Sequence, residues 1–190
     1  MRFSNIIPLH YFNRPPFENG AIEHISNAFK SHCIQIPLIC SDSGLSSLGM
    51  TEKIGSLISD NLSPSFYEET PANPTEKAVS EALEIYKSNS CDGVIGFGGG
   101  SSMDLGKAVA LMANHDGNLI DYSVVQGGYK RITETVPMIA IPTTSGTGSE
   151  VSDGALIILT YGRTISTARP HLSTNAALCY PELTIVLPRI

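Results

Sequence analysis

Residues 93–113 read GVIGFGGGSSMDLGKAVALMA, and this stretch decides the fold. Its first part, 93–97, is a short apolar run of the kind that forms a buried strand. Its last part, 101–113, places Leu105, Val109 and Met112 at helical spacing. The two parts are separated by three consecutive glycines, Gly98, Gly99 and Gly100. The stretch therefore predicts a strand, a tight glycine turn and a helix.

Apolar runs alternate with helical periodicity on both sides of this stretch, which predicts βαβ units. Helices are predicted at 20–32, at 50–62 and at 101–113. A further helix is predicted after Asn73 as N-cap, with Pro74 at the first helical position. Strands are predicted at 36–40, 93–97 and 136–141, with short β segments at 155–160 and 184–187 around a loop at 169–175. The predicted fold class is α/β, a Rossmann-like, mostly parallel sheet with helices on both faces. A length of 190 residues favours one domain, 1–190.

Composition argues against several function classes. The chain has 12 Lys and Arg against 18 Asp and Glu, a net charge of −6, which disfavours sequence-independent binding to nucleic acid. No apolar run approaches the roughly 20 residues that span a bilayer, and the start has no signal-type block. We therefore expect a cytoplasmic protein without a nucleic-acid or membrane partner. The five scattered histidines predict no metal site built from this chain alone.

The glycine turn at 98–100 is a candidate phosphate site. A helix N-terminus supplies unpaired N–H groups and positive potential, and glycines admit the phosphate oxygens to the backbone. Gly99 and Gly100 are expected to leave this room or to adopt a positive φ. The motif is neither a Walker loop nor a complete G-x-G-x-x-G, since Ser101 takes the last glycine position. In the alternative interpretation Ser101 and Asp104 form a capping box and the glycines only make a turn.

Two further segments follow predicted strands. The loop 142–150, PTTSGTGSE, here named the threonine loop, follows the strand 136–141, and Asp42 follows the strand 36–40. Because carboxyl ends of parallel strands meet at one crevice, these segments should converge with the glycine turn on one ligand. Hydroxyl groups suit phosphate, ribose or carboxamide, and an acidic residue can accept from ribose hydroxyls and repel a 2′-phosphate. An ordinary Ser/Thr/Gly loop, and a turn or cap role for Asp42, are the alternatives.

Taken together, these motifs resemble the iron-containing (group III) alcohol dehydrogenases. The resemblance rests on Ser41-Asp42, on Asn73-Pro74-Thr75, on the G-G-G-S-x-x-D-x-x-K signature formed by Gly98 to Lys107, and on the loop 141–150. It runs from about residue 20 to 187 and covers only the N-terminal half of that family. The dehydroquinate synthase and glycerol dehydrogenase superfamily shares the glycine turn, but the threonine loop argues against it.

The resemblance implies a set of cofactor contacts. Asp42 would bind the adenosine ribose, Asn73 and the Gly100-Ser101 turn would hold the dinucleotide, and Leu183 would pack near the adenosine. The candidate cofactor-binding residues are Asp42, Asn73, Gly98, Gly99, Gly100, Ser101, Asp104, Thr143, Thr144, Thr147, Ser152 and Leu183. NAD is the expected cofactor, with NADP less favoured because of Asp42.

The resemblance also implies what this chain lacks. The family's iron or zinc is held by one aspartate and three histidines of a C-terminal helical domain that is absent from this chain, so no metal ligand is assigned. The chain is then the nucleotide-binding half of an NAD(P)-dependent oxidoreductase for a small alcohol or aldehyde, expected to form a homo-oligomer. A stand-alone dinucleotide-binding module without catalysis is the alternative.

Overall fold

The computed structural model describes residues 25–58, 63–180 and 183. Its helices are α1 (Ile25–Ser31), α2 (Ser43–Ser47), α3 (Met50–Ile58), α4 (Glu76–Ser88) and α5 (Gly100–Ala113). Its strands are β1 (Pro37–Cys40), β2 (Ser65–Tyr67), β3 (Gly93–Gly98), β4 (Met138–Pro142), β5 (Gly154–Ile158), β6 (Thr164–Ala168) and β7 (Ala176–Ala177). The predicted strand at 184–187 and the predicted helix ends at 20–24 and 59–62 lie outside the described residues.

The main sheet has five strands in the order β2-β1-β3-β4-β7, and every neighbouring pair is parallel. Parallel neighbours need crossover connections, which α-helices supply between β1, β2, β3 and β4 and the segment containing β5 and β6 supplies between β4 and β7. Strands β1, β3 and β4 are buried along their whole length, as expected for a sheet covered on both faces. The predicted α/β class with a mostly parallel sheet is confirmed.

Side chains of the central strands alternate between two apolar layers. Leu38 and Val94 pack in the layer that contains α4 and α5, whereas Ile39 and Ile95 pack in the layer that contains α1 and α3. The strands therefore read as continuous apolar runs because both of their faces meet helices. This sandwich holds the carboxyl ends of β1, β3 and β4 at one edge.

Strands β5 and β6 form a separate antiparallel pair. Ile157 and Ile165 bury one face of this hairpin in the α4–α5 layer. The hairpin is tied to the start of α4, because Ile158 N donates to Pro74 O at 2.9 Å and Thr160 Oγ1 donates to Glu76 Oε2 at 2.7 Å. Strand β6 consists of the Thr- and Ser-rich sequence TISTA, and no strand was predicted there.

The predicted start of α4 and the predicted end of β5 are wrong, and the strand predicted at 136–141 spans Met138–Pro142. The N-cap of α4 is Thr75, whose side chain accepts from Ala78 N, rather than Asn73. Pro74 lies before the cap, where its carbonyl pairs with the β5–β6 hairpin. The strand predicted at 155–160 ends at Ile158, since the chain turns through Gly162 with a φ of +80°. The loop predicted at 169–175 contains a short 3-10 helix, Pro170–Leu172.

Candidate functional site

The strand order places a switch point between β1 and β3. From β1 the chain crosses to β2 on one side, and it then returns to β3 on the other side. In open α/β sheets a crevice opens beyond the carboxyl ends of the strands at such a point. The residues that follow β1, β3 and β4 here are Ser41-Asp42, Gly99-Gly100 and Thr143-Thr144. The sequence-predicted candidates of three separate strands are therefore brought to one edge.

The glycine turn opens directly onto the start of α5. Gly99 is the N-cap residue, with a φ of −77° and no side-chain cap bond, so the first-turn N–H groups are not capped by a side chain. The interpretation of Ser101 and Asp104 as a capping box is therefore wrong. The expected positive φ lies at Gly98, at +145°, and not at Gly99 or Gly100. A fourteen-residue helix with a glycine N-terminus can receive an anion.

The threonine loop meets the glycine turn at close range. A Cβ placed on Gly99 would lie 3.5 Å from Thr144 Oγ1, and one placed on Gly100 would lie 2.9 Å from Thr147 Cγ2. The backbone is joined as well, because Thr143 N donates to Gly98 O at 2.9 Å. Within the part of the chain that the structure describes, the buried Thr144 Oγ1 has no hydrogen-bond partner. A buried hydroxyl without a partner costs free energy, so its position beside Gly99 calls for a ligand or a water.

Asp42 lies at the end of β1 and caps α2. Its Oδ1 accepts from Leu45 N at 3.0 Å, and the side chain is half-buried. The cap role that the sequence left open is thus real. It leaves Oδ2 without a hydrogen bond among the described residues. Next to it, the hydroxyls of Ser41 and Thr70 are also buried and lack partners there, and Thr70 N donates to Ser41 O at 3.1 Å.

Ser101 and Asp104 are used inside the protein. The Ser101 hydroxyl donates to Ala72 O. Asp104 Oδ1 accepts from Ser149 Oγ at 2.8 Å, and Asp104 Oδ2 accepts from Leu156 N at 2.9 Å. One carboxylate oxygen therefore holds the end of the threonine loop at Ser149, and the other holds strand β5 at Leu156. The expected contact of Asp104 with a cofactor has no support in this geometry.

Lys107 is a buried charged residue to which the sequence motifs assigned no role. Its side chain is 1% exposed, and Nζ donates to Ser149 O, Ser152 Oγ, Ser152 O and Gly154 O at distances between 2.7 and 3.0 Å. Burial lowers the pKa of Lys107 to about 8, against the opposing effect of Asp104, Asp153 and Glu150. The available signal was the spacing of Ser101, Asp104 and Lys107, which puts all three on one side of a helix.

The remaining candidates lie at different depths. Asn73 is exposed beside the start of α4, and Thr147 is exposed over Gly100. Ser152 is half-buried, and its hydroxyl is occupied by Lys107 Nζ at 2.7 Å. Leu183 is buried among the apolar side chains of the α1–α3 layer. Of these, Asn73 and Thr147 have side chains open to a ligand.

Among the described histidines, His115 has a structural role at the end of α5. His115 bridges Leu111 O through Nδ1 and Thr133 N through Nε2, which fixes the end of α5. His10 and His24 lie outside the described residues. Among residues 25–58, 63–180 and 183, no three His, Cys, Asp or Glu side chains are grouped so that they could hold a metal ion. In the same residues no helix has the length and apolar character needed to cross a membrane.

Comparison with known proteins identifies the family. A sequence profile described as "Iron-containing alcohol dehydrogenase" matches residues 14–181. The chain belongs to the iron-containing alcohol dehydrogenase family. It is 40% identical over 181 residues to a "4-hydroxybutyrate dehydrogenase" of Cupriavidus necator, covering 95% of this chain and 47% of that protein. It is 30% identical to a "choline dehydrogenase" of Bacillus subtilis, covering 99% of this chain and 48% of the relative.

Solved structures of a reductase and a dehydrogenase share the fold. A sulfoacetaldehyde reductase from Bifidobacterium kashiwanohense, solved in complex with NAD+, superimposes with a TM-score of 0.82 at 26% identity. The match covers 93% of this chain and 46% of that structure. An NADH-dependent butanol dehydrogenase A from Thermotoga maritima has a TM-score of 0.85 at 24% identity, which shows a common fold. The chain spans about half the length of the relatives it matches.

The residues present fit a dinucleotide. The crevice offers an uncapped helix N-terminus at Gly99 and Gly100, an unpartnered hydroxyl at Thr144, and a half-buried carboxylate at Asp42. A dinucleotide needs hydrogen-bond donors for its pyrophosphate and an acceptor for its ribose hydroxyls. The protein groups that supply them follow neighbouring strands at the switch point. Strands β1 and β3 are neighbours, so the two requirements are met side by side.

Proposed function

We propose that this chain is the dinucleotide-binding half of an NAD-dependent oxidoreductase that acts on a small alcohol or aldehyde. The observation that carries the proposal is the meeting of the α5 N-terminus with the threonine loop, where the buried, unpartnered Thr144 hydroxyl lies 3.5 Å from the position that a Cβ on Gly99 would take. The family membership and the dehydrogenase and reductase names of the relatives support the reaction class.

Each element of the crevice has a distinct part in binding. The first-turn N–H groups of α5 would hold the pyrophosphate, and glycine at 99 lets it approach the backbone. Thr144 would donate or accept one hydrogen bond beside that turn, with Thr143 holding the loop to Gly98. Asn73 and Thr147, which are exposed on either side of α5, would border the bound cofactor.

Asp42 is proposed to select NAD over NADP. Its Oδ1 is committed to the cap of α2, and Oδ2 remains to accept from a ribose hydroxyl. A 2′-phosphate would meet this carboxylate with like charge, at a cost of about 1 to 3 kcal/mol. The cap bond also fixes the direction of the carboxylate, so the same contact that starts α2 orients the selectivity residue.

A bound nicotinamide would supply hydride transfer between the cofactor and the substrate carbon. This chain's described residues bind and orient the dinucleotide and offer no grouped ligands for a metal that would polarise the substrate oxygen. The family's iron, or a zinc in its place, therefore calls for side chains outside these residues. The cytoplasmic location, the homo-oligomeric state and the extent of the domain over residues 1–190 stay predictions.

Calorimetric titration of the purified chain with NAD+, NADH and NADP+ tests the proposal. We expect one site per chain with NAD+ preferred, and Thr144→Val should weaken binding by about tenfold, since it removes one hydroxyl at nearly constant volume. Thr160→Val is the matched control because Thr160 lies on the hairpin and, among the described residues, bonds to Glu76 alone. Absence of NAD+ binding by the folded wild-type chain would reject the proposal.

The alternative is a dinucleotide-binding module without catalysis. No specific geometric observation favours it over the first proposal, because both require the same crevice. A turnover measurement distinguishes the two proposals when the chain is combined with a metal-binding helical domain of a family member. Gain of alcohol oxidation supports the enzyme half. NAD+ binding without turnover supports the module.

A further inference from the structure

Three polar side chains lie along one side of α5, and each reaches a different segment of the chain. Ser101 donates to Ala72 O ahead of α4, Asp104 accepts from Ser149 and Leu156, and Lys107 donates to residues 149, 152 and 154. The segments they reach border the crevice beside Gly99 and Gly100. None of these contacts is local in sequence, since the partners are 29 to 52 residues away.

We propose that Asp104 and Lys107 are positioning residues, which fix the threonine loop against the glycine turn and thereby set cofactor affinity without touching the cofactor. This inference rests on the proposed dinucleotide function. It assigns to the D-x-x-K part of the G-G-G-S-x-x-D-x-x-K signature a task different from that of its glycines. Ser101 makes a comparable hydrogen bond to a different segment, the one that carries Asn73.

The geometry of Lys107 excludes direct contact with a ligand. The side chain is 1% exposed, and the three protons of its ammonium are shared among three carbonyl oxygens and the Ser152 hydroxyl. The ammonium group of Lys107 is surrounded by carbonyl oxygens as a bound cation would be. Residues 149–154 are therefore gathered around one buried charge, which fixes the end of the threonine loop.

Asp104 anchors the same segment through two further hydrogen bonds. One oxygen accepts from the Ser149 hydroxyl and the other accepts from the Leu156 amide in the middle of strand β5. Ser149 is thus held twice, by its side chain to Asp104 and by its carbonyl to Lys107. The loop between Thr143, which bonds to Gly98, and Ser149 has both ends anchored, and Thr144 and Thr147 lie between the anchors.

The test compares cofactor affinity with local backbone order in graded variants. Asp104→Asn keeps one acceptor oxygen of the pair, Asp104→Ala keeps neither, and Ser149→Ala removes only the hydroxyl bond. Lys107→Met removes the charge at similar length. Matched controls are Glu84→Gln and Lys87→Met, both on the exposed side of α4. Calorimetry with NAD+ gives affinity, and amide hydrogen exchange without cofactor gives the order of residues 143–156.

We expect Lys107→Met and Asp104→Ala to weaken NAD+ binding by about tenfold or more, with faster exchange confined to residues 143–156. Asp104→Asn should lie between Asp104→Ala and wild type, a partial rescue that a merely global loss of stability would not produce in a folded protein. The controls should bind as wild type does. NAD+ affinity within about twofold of wild type for folded Asp104→Ala and Ser149→Ala would overturn the proposal.

The inference stays testable if one variant does not fold, and it can fail separately from the proposed function. If Lys107→Met does not fold, the Asp104 and Ser149 variants decide the question by the same readouts. If the wild-type chain does not bind NAD+, the proposed function fails, and hydrogen exchange alone then tests the anchoring. Unchanged exchange of residues 143–156 in Asp104→Ala would overturn the anchoring itself.

Discussion

Adjacent glycines at 98 and 99 should respond in opposite ways to the same substitution. Gly98→Ala puts a side chain on a residue with a φ of +145°, where its Cβ would lie 2.6 Å from the hydroxyl of the buried Ser102. Gly99→Ala puts one on a residue with a φ of −77°, where the nearest atom, Thr144 Oγ1, is at an ordinary contact distance of 3.5 Å. The first change strains the fold, and the second occupies the proposed pyrophosphate space.

The magnitudes follow from these contacts. At Gly98 the backbone region costs about 1 to 3 kcal/mol for a non-glycine residue, and the clash with Ser102 adds about 1 kcal/mol or more. At Gly99 the loss of a favourable N-cap glycine and the reduced entropy of the unfolded chain nearly cancel, so stability should stay within about 1 kcal/mol of wild type. NAD+ affinity of Gly99→Ala should nevertheless fall by about tenfold or more, because the methyl group covers the α5 N-terminus.

The assay is urea unfolding followed by far-ultraviolet circular dichroism, together with NAD+ titration. The chain contains no Trp, so circular dichroism is preferable to intrinsic fluorescence. Gly49→Ala is the control for backbone strain, since Gly49 has a φ of +68°, no atom within 4 Å of its Cβ position, and no place in the crevice. Wild-type NAD+ affinity in Gly99→Ala would refute the role of the glycine turn, and wild-type stability in Gly98→Ala would refute the strain argument.

Three further predictions concern selectivity, pH and metal. Asp42→Ser keeps an N-cap acceptor but removes the charge, so NADP+ should gain roughly 5- to 150-fold on NAD+ with little change in unfolding free energy, and an unchanged affinity ratio in calorimetry would contradict this. Burial lowers the pKa of Lys107 to about 8 from 10.5, so the unfolded state holds more protons between these values and the lysine's contribution to stability rises with pH across that window. From pH 7.5 to 9.5 the gain should be about 2 kcal/mol in wild type relative to Lys107→Met in urea titrations, and parallel pH profiles would exclude it. After dialysis with Fe(II) or Zn(II), the chain alone should retain less than one equivalent of metal and should not reduce short aldehydes with NADH. One retained equivalent of metal, or turnover clearly above a control without protein, would show a metal centre within these residues.

The layered fold could be predicted because its signals are local and repeated. Apolar runs of four to six residues, such as Pro37–Cys40 and Gly93–Gly98, are buried on both faces and so need no long-range information to be recognised. The glycine turn and the threonine loop were predicted to converge for a general reason, since carboxyl ends of parallel strands share one edge. Their contact beside Gly99 is the structural outcome of that rule.

Element ends and polar contacts were less accessible because distant segments decide them. Asn73 and Thr75 are both good caps, and the choice of Thr75 depends on Pro74 O being taken by Ile158 N in the β5–β6 hairpin. The strand β6, with its Thr- and Ser-rich sequence, is formed by pairing with β5 rather than by an apolar pattern of its own. Tertiary context overrides local preference in both cases.

Asp104 shows most clearly why a motif does not by itself state the task of each residue in it. Sequence spacing puts Asp104 one helical turn from the glycine turn, which suggests a cap or a ligand contact. Its partners, Ser149 and Leu156, are 45 and 52 residues away, and only the folded chain brings them to the carboxylate. A helix that begins with uncapped N–H groups must keep a loop beside them ordered if those groups are to meet a ligand in a fixed geometry. Polar side chains one and two turns further along the same helix can do this without entering the crevice. Under the proposed function the glycines, Asp104 and Lys107 would therefore belong to one site, although of these only the glycines would border the space that a cofactor fills.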